Sequence, residues 1–170
     1  MTMKYLKDYV DGTFRLKSFP NCNVIRYNYN QGILIVEGCH ATIIANKIDA
    51  NIKANIALGG EGSGKTKIKF NRIENSKSEG IFVIEGEDQL LIDQNVIKNN
   101  FYGIVLVDSN GVIKENQIMN NYTSGLLTEK NTVAKIHSNV ISNNMTTGII
   151  IKDPSLPDLK KNSIKENNMF

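Results

Sequence analysis

The stretch LIDQNVIKNN, Leu91 to Asn100, decides the fold because its pattern returns along most of the chain. Within it, Asn95 has an aliphatic residue three positions before it, Ile92, and an isoleucine two positions after it, Ile97. The same arrangement surrounds six asparagines spaced by 21–25 residues, which are Asn46, Asn71, Asn95, Asn116, Asn139 and Asn162. Asn28, with Ile25 before it, resembles a seventh and shorter unit. A period of this length indicates a stack of similar structural units.

A glycine followed by a short aliphatic run is the second repeated marker. Runs of this kind follow Gly32, Gly80, Gly103, Gly125 and Gly148. The runs are too short for helices, and they return with the period of the asparagines, which favours strands stacked in parallel. The sequence therefore predicts an all-β, right-handed parallel β-helix (a solenoid) of about seven coils. The ladder isoleucines should point inward. We expect the asparagines to occupy left-handed corners and to hydrogen-bond to the asparagines one coil above and below, and the glycines to allow tight corners.

The two ends of the chain differ from the repeats. We expect residues 1–22 to form an N-terminal cap and first strand, with room for a short capping helix over Lys4–Val10, and residues 23–170 to form the β-helix. The last repeat stops at Ile164 and the few residues after it, and an open stack exposes unpaired strand edges. Three explanations fit: the chain is a fragment of a longer β-helix, it self-associates end to end, or a partner covers the end. We favour a protein partner, or self-association, at the C-terminal end.

Composition and charge exclude several classes of protein. The 23 Asn and 23 Ile point to one repeated structural rule, and the net charge of +3 is scattered, which argues against nucleic-acid binding. No stretch is apolar enough for a membrane span. The N-terminus has no apolar signal region and there are only two cysteines, so the expected location is cytoplasmic or otherwise intracellular.

The repeats from Gly80 to Val107 resemble the β-helical repeats of carbohydrate-binding and sugar-hydrolase type. They are most similar to those found behind the F-box of substrate-recognition subunits of ubiquitin ligases. The resemblance covers roughly residues 23–168 and implies the fold more than a function, because the same coils serve polysaccharide lyases, epimerases and adaptors. The chain shows no F-box-like helical segment.

The segment GGEGSGKT, Gly59 to Thr66, matches the phosphate-loop pattern. Such a loop must open a helix, whereas the residues that follow Thr66 have the pattern of another repeat coil. We therefore interpret the segment as a flexible loop between coils and predict no cofactor.

Acidic residues lie five positions after four of the glycines: Glu37, Glu85, Asp108 and Asp153. A row of carboxylates is a candidate cation site, but the row is incomplete and falls in predicted turns, so no metal is predicted. Another row, predicted to be an outward and solvated face, contains Lys69, Asp93, Lys114, His137 and Lys160. The enzymes of this fold need clustered Asp, Arg and His, and the sequence does not show such a cluster. No catalytic residue is predicted.

Aromatic residues precede some of the glycines, beside paired asparagines. Phe101, Tyr102, Tyr122 and Met145 should lie along one edge, where aromatic rings and amides suit a sugar or a peptide. With Ile164 at the open end, they form the predicted partner-binding set. The sequence thus favours a non-catalytic binding or scaffolding module for a protein or glycan. The alternative is a carbohydrate-active enzyme of the polysaccharide lyase, hydrolase or epimerase type.

Overall fold

Three parallel β-sheets wind around one apolar core in the computed structural model, which describes residues 8–10, 13–15, 22–36, 38–60, 65–86 and 89–168. The first sheet consists of β3 (Val24–Arg26), β6 (Lys47–Asp49), β9 (Arg72–Glu74), β12 (Val96–Lys98), β15 (Gln117–Met119), β18 (Val140–Ser142) and β21 (Ser163–Lys165). The second consists of β4 (Ile33–Ile35), β7 (Ile56–Gly59), β10 (Glu79–Ile84), β13 (Tyr102–Val107), β16 (Ser124–Glu129) and β19 (Thr147–Ile151). The third consists of β5 (Thr42–Ile44), β8 (Lys67–Lys69), β11 (Leu91–Asp93), β14 (Val112–Lys114), β17 (Lys135–His137) and β20 (Asp158–Lys160).

Each coil contributes one strand to each sheet, and neighbouring coils pair without a shift in register. Ile97 is aligned with Ile73 in the coil before it and with Ile118 in the coil after it. The predicted all-β parallel solenoid is confirmed. It makes about six turns, where the repeat count predicted about seven, since the second and third sheets each contain six strands.

The N-terminal segment is strand where it is described. β1 (Asp8–Val10) pairs antiparallel with β2 (Thr13–Arg15). The helix allowed over Lys4–Val10 is therefore wrong for residues 8–10, and residues 4–7 lie outside the described residues. The division of the chain at residue 22 stays a prediction.

The core consists of three stacked aliphatic columns, one from each sheet. The first-sheet column contains the ladder isoleucines Ile48, Ile73, Ile97, Ile118 and Ile141, and all five have 0% exposure. Ile164 continues this column in register but is 49% exposed, because it lies on the last strand. Inward stacking of the isoleucines is confirmed, and each buried side chain stabilises the fold by roughly 1.5–3 kcal/mol.

The corner from the third sheet to the first is two residues long, and its asparagine does not occupy the predicted position. Gln94 has the left-handed backbone, with φ of 55°, and the ladder residue Asn95 follows it. The other corners of this row also place the residue before the asparagine in that conformation. The asparagine instead turns its side chain toward the coil, where Asn95 Nδ2 donates to the carbonyl of Ile68 at 2.8 Å and to Asn116 Oδ1 at 3.0 Å.

A second asparagine ladder stabilises the corner from the first sheet to the second. It was not predicted from the sequence. Its rungs are Asn28, Asn51, Asn100, Asn121, Asn144 and Asn167, and Ser76 occupies the position between Asn51 and Asn100. Asn55 links the rungs on either side of Ser76, because it accepts a bond from Asn51 at 2.7 Å and donates to Asn100 at 3.2 Å. Two ladders together satisfy the backbone groups that these buried corners would otherwise leave unpaired.

The repeated glycines are required by close packing and not by the predicted tight turn. A Cβ on Gly103 would lie 2.2 Å from the carbonyl oxygen of Gly125 and 2.7 Å from Cγ2 of Ile118. A Cβ on Gly80 or Gly125 would likewise approach a backbone oxygen and the Cγ2 of an isoleucine, and a Cβ on Gly148 would approach Cγ2 of Ile164. The glycine thus lets the second sheet approach the isoleucine column and the second ladder.

Candidate functional site

Charged side chains gather on the outer face of the first sheet around one buried carboxylate, that of Glu74. Oε2 of Glu74 lies 2.8 Å from Nε of Arg72 and 3.6 Å from Nζ of Lys98. Its Oε1 lies 3.5 Å from Nζ of Lys47. Glu74 is only 3% exposed, whereas the three cationic side chains reach solvent. We call Lys47, Asp49, Arg72, Glu74 and Lys98 the ionic cluster.

The repeat itself positions these residues. In a strand, the residues on either side of the inward isoleucine point outward, so the first and third residues of each first-sheet strand share one face. Lys47 is aligned with Arg72, and Glu74 is aligned with Asp49 on one side and Lys98 on the other. Three successive coils therefore contribute to one surface.

This cluster was not predicted from the sequence, although charged residues flank the inward isoleucine in two successive coils. The residues one and three positions after the ladder asparagine are both charged in the coils of Asn46 and Asn71, whereas the coil of Asn139 has Val140 and Ser142 there. Reading the two flanking positions across coils would have identified the face.

Asp49 connects the cluster to a neighbouring cavity. One oxygen of its carboxylate lies 3.5 Å from Nζ of Lys47, and the other accepts a 2.7 Å hydrogen bond from Nδ2 of Asn75. Asn75 also accepts a bond from Asn99 at 3.3 Å, and both asparagines line the cavity. The ionic cluster and the cavity therefore form one continuous polar surface.

The cavity has a volume of about 310 Å³ and lies at the corner between the first and second sheets. Its lining residues are Asn75, Ser76, Lys77, Asn99, Phe101 and Tyr122. Phe101 and Tyr122 are 46% and 57% exposed. We call these two rings the aromatic shelf.

The structure brings most of the predicted aromatic edge together. Phe101, Tyr122 and Met145 each follow a rung of the second ladder, so they occupy equivalent positions in three successive coils. Tyr102 contacts Phe101 edge-on, with ring centroids 5.2 Å apart, and also packs against the apolar outer face of the second sheet. The role of these residues in binding stays a prediction.

Ile164 lies on the last strand of the first sheet, one coil beyond that of Met145, and it continues the inward isoleucine column and not the aromatic edge. It is half exposed, together with Leu159 and Ile151 on the last strands of the other two sheets. A partner or a second copy at this end stays a prediction.

The phosphate-loop match does not form the structure that nucleotide binding requires. The chain continues from Thr66 into the strand β8, not into a helix. Thr66 is buried, and its hydroxyl accepts a bond from the amide of Ala41 in the preceding coil. The described part of the motif therefore belongs to the solenoid.

The acidic row lies at the corner after the second sheet, but a lysine interrupts it. Glu85 and Asp108 occupy neighbouring left-handed positions, and Lys130 occupies the next one. Beside it, Lys152 pairs with Glu129, whose hydrogen bond and charge raise the pKa of the Lys152 amine. Glu37 lies outside the described residues. Among the residues that are described, no three His, Cys, Asp or Glu side chains cluster as metal ligands do.

Comparison with known proteins identifies the fold. A family model described as "Right handed beta helix region" matches residues 17–169. No curated protein matches the chain. The described residues include no helix long and apolar enough to cross a membrane.

Among solved structures, that of the periplasmic alginate epimerase AlgG is similar, with a TM-score of 0.76 at 20% identity over 84% of this chain. A mutant of the same epimerase matches with a TM-score of 0.73 at 19% identity, also over 84% of this chain. The chain spans 38% and 39% of the length of these two structures.

These similarities correct three predictions. The similar structures are those of a periplasmic epimerase and not of F-box proteins, so the closer resemblance to ubiquitin-ligase subunits is not supported. An epimerase is a carbohydrate-active enzyme, which contradicts the preference for a non-catalytic module and favours the alternative. The periplasmic location of that enzyme contradicts the expectation of an intracellular protein. The sequence failed here because the repeat reports backbone packing, which enzymes and adaptors of this fold share.

Proposed function

The chain belongs to the right-handed β-helix family, and we propose that it acts on an acidic polysaccharide as a carbohydrate-active enzyme. The observation that carries the proposal is the arrangement of Arg72, Lys47 and Lys98 around the buried Glu74, beside the aromatic shelf. The similar fold of an alginate epimerase supports the same class of substrate.

Arg72 is the best placed group for a uronate carboxylate. Its Nε is held by Glu74, which fixes the guanidinium, and its side chain is 45% exposed. A guanidinium oriented in this way can bind a carboxylate through two parallel hydrogen bonds. Glu74 is thus a positioning residue, and the net charge of the ionic cluster is positive, with three cations against two carboxylates.

The charge distribution favours reactions that remove the proton next to a uronate carboxylate. The carboxylate of Asp49, which lies on the cavity side of the cluster, takes the C5 proton. The electron pair of the C5–H bond moves into the uronate carboxylate, and negative charge builds up on its oxygens. Fixed cations at that point stabilise the transition state more than the ground state. Donation of a proton from water to the opposite face of C5 gives an epimer, whereas departure of the 4-oxygen, which takes a proton from water, gives an unsaturated sugar. Arg72, Lys47 and Lys98 would stabilise both reactions in this way.

The aromatic shelf would hold a neighbouring sugar of the same polymer. Phe101 and Tyr122 expose ring faces beside the amides of Asn75 and Asn99, which combines stacking with hydrogen bonding. Tyr102 would support Phe101, and Met145 would extend the shelf by one coil. We further propose an extracytoplasmic location, where such polymers occur, by analogy with the periplasmic epimerase.

Deuterium exchange tests the proposal directly. The protein is incubated in D₂O with polymannuronate, polygalacturonate or neutral dextran, and NMR follows deuterium at C5 while ultraviolet absorbance follows unsaturated products. We expect exchange or elimination on a uronate polymer and none on dextran. Arg72→Gln should abolish it, and Lys165→Gln, on the same sheet three coils beyond Lys98, should not. No reaction on either uronate polymer, or equal activity in the Arg72→Gln variant, would refute the proposal.

A further inference from the structure

The outer face of the third sheet carries a basic row that the proposed function does not use. The third residues of five successive strands are aligned in register: Lys69, Asp93, Lys114, His137 and Lys160. Lys67 and Lys135 lie on the same face, as the first residues of their strands. Neighbouring coils are about 4.8 Å apart, so the row presents one polar group at each step.

Asp93 is the unusual member of this row. The residue is 2% exposed, and its Oδ2 lies 3.0 Å from Nζ of Lys69. Its Oδ1 is buried and accepts no hydrogen bond from any residue that the structure describes. Oε1 of the adjoining Gln94 is also buried and accepts no hydrogen bond from any described residue. Buried acceptors without a donor are rare and costly, so these two oxygens are suited to a donor that another molecule brings.

The hydrogen-bond donors beyond Asp93, the amine of Lys114 and the imidazole of His137, are available for an anion. Lys114, in the next coil, has no carboxylate within ion-pairing distance among residues 22–36, 38–60, 65–86 and 89–168, and the same holds for His137 in the coil after it. Both side chains are half-buried, so less of their conformational freedom is lost on binding. At the end of the row, Lys160 pairs with Asp158 at 2.7 Å.

Hydrogen-bond acceptors therefore lie next to cations within one or two coil steps. A bare metal cation would suit the oxygens of Asp93 and Gln94, but Lys69 and Lys114 would repel it. A neutral sugar would leave the charge of Lys114 unused. A sugar acid fits the acceptors and the donors together. Its hydroxyl groups donate hydrogen bonds to the acceptor oxygens, and its carboxylate accepts hydrogen bonds from Lys114 and His137.

We propose that the third sheet holds a second, separate binding site for a uronate sugar. A ring hydroxyl donates to Oδ1 of Asp93 once the side chains that cover this atom move aside, and the carboxylate accepts bonds from Lys114 and His137. The site rests on the proposed function only for the source of its ligand, because its residues lie on a different sheet from Arg72 and Glu74. A polymer that follows the row meets one polar side chain of the row in each coil.

The test uses a galacturonate disaccharide as the probe, with the neutral galactose disaccharide and acetate for comparison. Titration calorimetry measures affinity, and NMR follows the imidazole signals of His137. We expect Asp93→Leu, which removes the acceptor, and Lys114→Gln and His137→Gln, which remove donors to the carboxylate, each to weaken uronate binding by about tenfold or more, as loss of a charge-assisted hydrogen bond does. Lys165→Gln, which removes one charge from the first sheet, should leave the affinity unchanged.

Two further measurements separate this site from the first. Arg72→Gln should leave the His137 shifts intact, and thermal melts should show that the third-sheet variants remain folded. If Arg72→Gln abolishes the shifts, if acetate or the neutral disaccharide binds equally well, or if the three variants bind as the wild type does, the second site does not exist. These results are independent of the C5 exchange assay, so either proposal can fail alone.

Discussion

The backbone amide of Asn95 and its side-chain amide both donate to a single atom, Oδ1 of Asn116 in the next coil, at 2.9 and 3.0 Å. Asn116 in turn donates its own amide hydrogens to the carbonyls of Ile92 and Lys114, both at 2.9 Å. One side chain therefore satisfies the backbone of two coils at once. The ladder is a continuous device that fixes both the corner and the spacing of the coils.

Replacing Asn116 should show how much the ladder contributes to the free energy of unfolding. Asn116→Ala leaves the amide of Asn95 and the carbonyl of Ile92 without partners in a buried corner. Because each such group costs roughly 1–3 kcal/mol, we expect a loss of about 2–4 kcal/mol in the free energy of unfolding. Urea denaturation measures it, and Asn131→Ala at an exposed turn is the control, with little effect expected. Equal stability of the two variants would contradict the structural role of the ladder.

The isoleucine column provides a second test, of packing alone. Ile97→Ala or Ile118→Ala removes a fully buried side chain and should destabilise the fold by about 2–5 kcal/mol. Val96→Ala removes an outward, half-buried side chain from the same strand and should cost about 1 kcal/mol or less. A cost below about 0.5 kcal/mol for either isoleucine would show that the register is wrong.

Gly103 and Gly59 give opposite expectations for the same substitution. Gly103→Ala would place a Cβ 2.2 Å from the backbone oxygen of Gly125, which cannot move without shifting the next coil. Gly59→Ala meets only Cγ2 of Ile84, at 3.3 Å. We expect the first change to cost about 1–3 kcal/mol or more, as overpacking does, and the second to be tolerated. Thermal denaturation of both variants decides, and similar melting temperatures would contradict the steric explanation.

The backbone could be predicted from the sequence because the solenoid repeats its packing rule. Ile97 and Asn95 need the same neighbours in every coil, so their spacing recurs and reveals the coil length. The second ladder was harder to detect because Ser76 interrupts it and Asn55 compensates from another position. Such a compensation depends on three-dimensional contact, which spacing alone does not show.

The candidate site was only partly predictable, for a different reason. Phe101 and Tyr122 repeat with the coils, so their shared edge followed from the period. Glu74 and Arg72 stand out only when the outward positions of adjacent coils are compared, and these positions vary freely because packing does not constrain them. Function lies in the positions that the repeat leaves free, which explains why a strong repeat predicted the fold and misled on activity.

The aromatic shelf allows a test of ligand binding that does not depend on catalysis. Phe101→Ala and Tyr122→Ala each remove a half-exposed ring, so the fold should remain stable while binding of an oligouronate weakens by about three- to tenfold. Leu156→Ala is the control, since Leu156 is 77% exposed and lies at a different corner, between β19 and β20. Affinity electrophoresis in a uronate gel measures the change. Equal retardation of the wild type and both shelf variants, or an equal loss in the Leu156→Ala variant, would mean that the shelf does not contact the polymer. A selective loss in the shelf variants would place the sugar beside Asn75 and Asn99, one residue along the chain from Glu74 and Lys98, and so within reach of the ionic cluster.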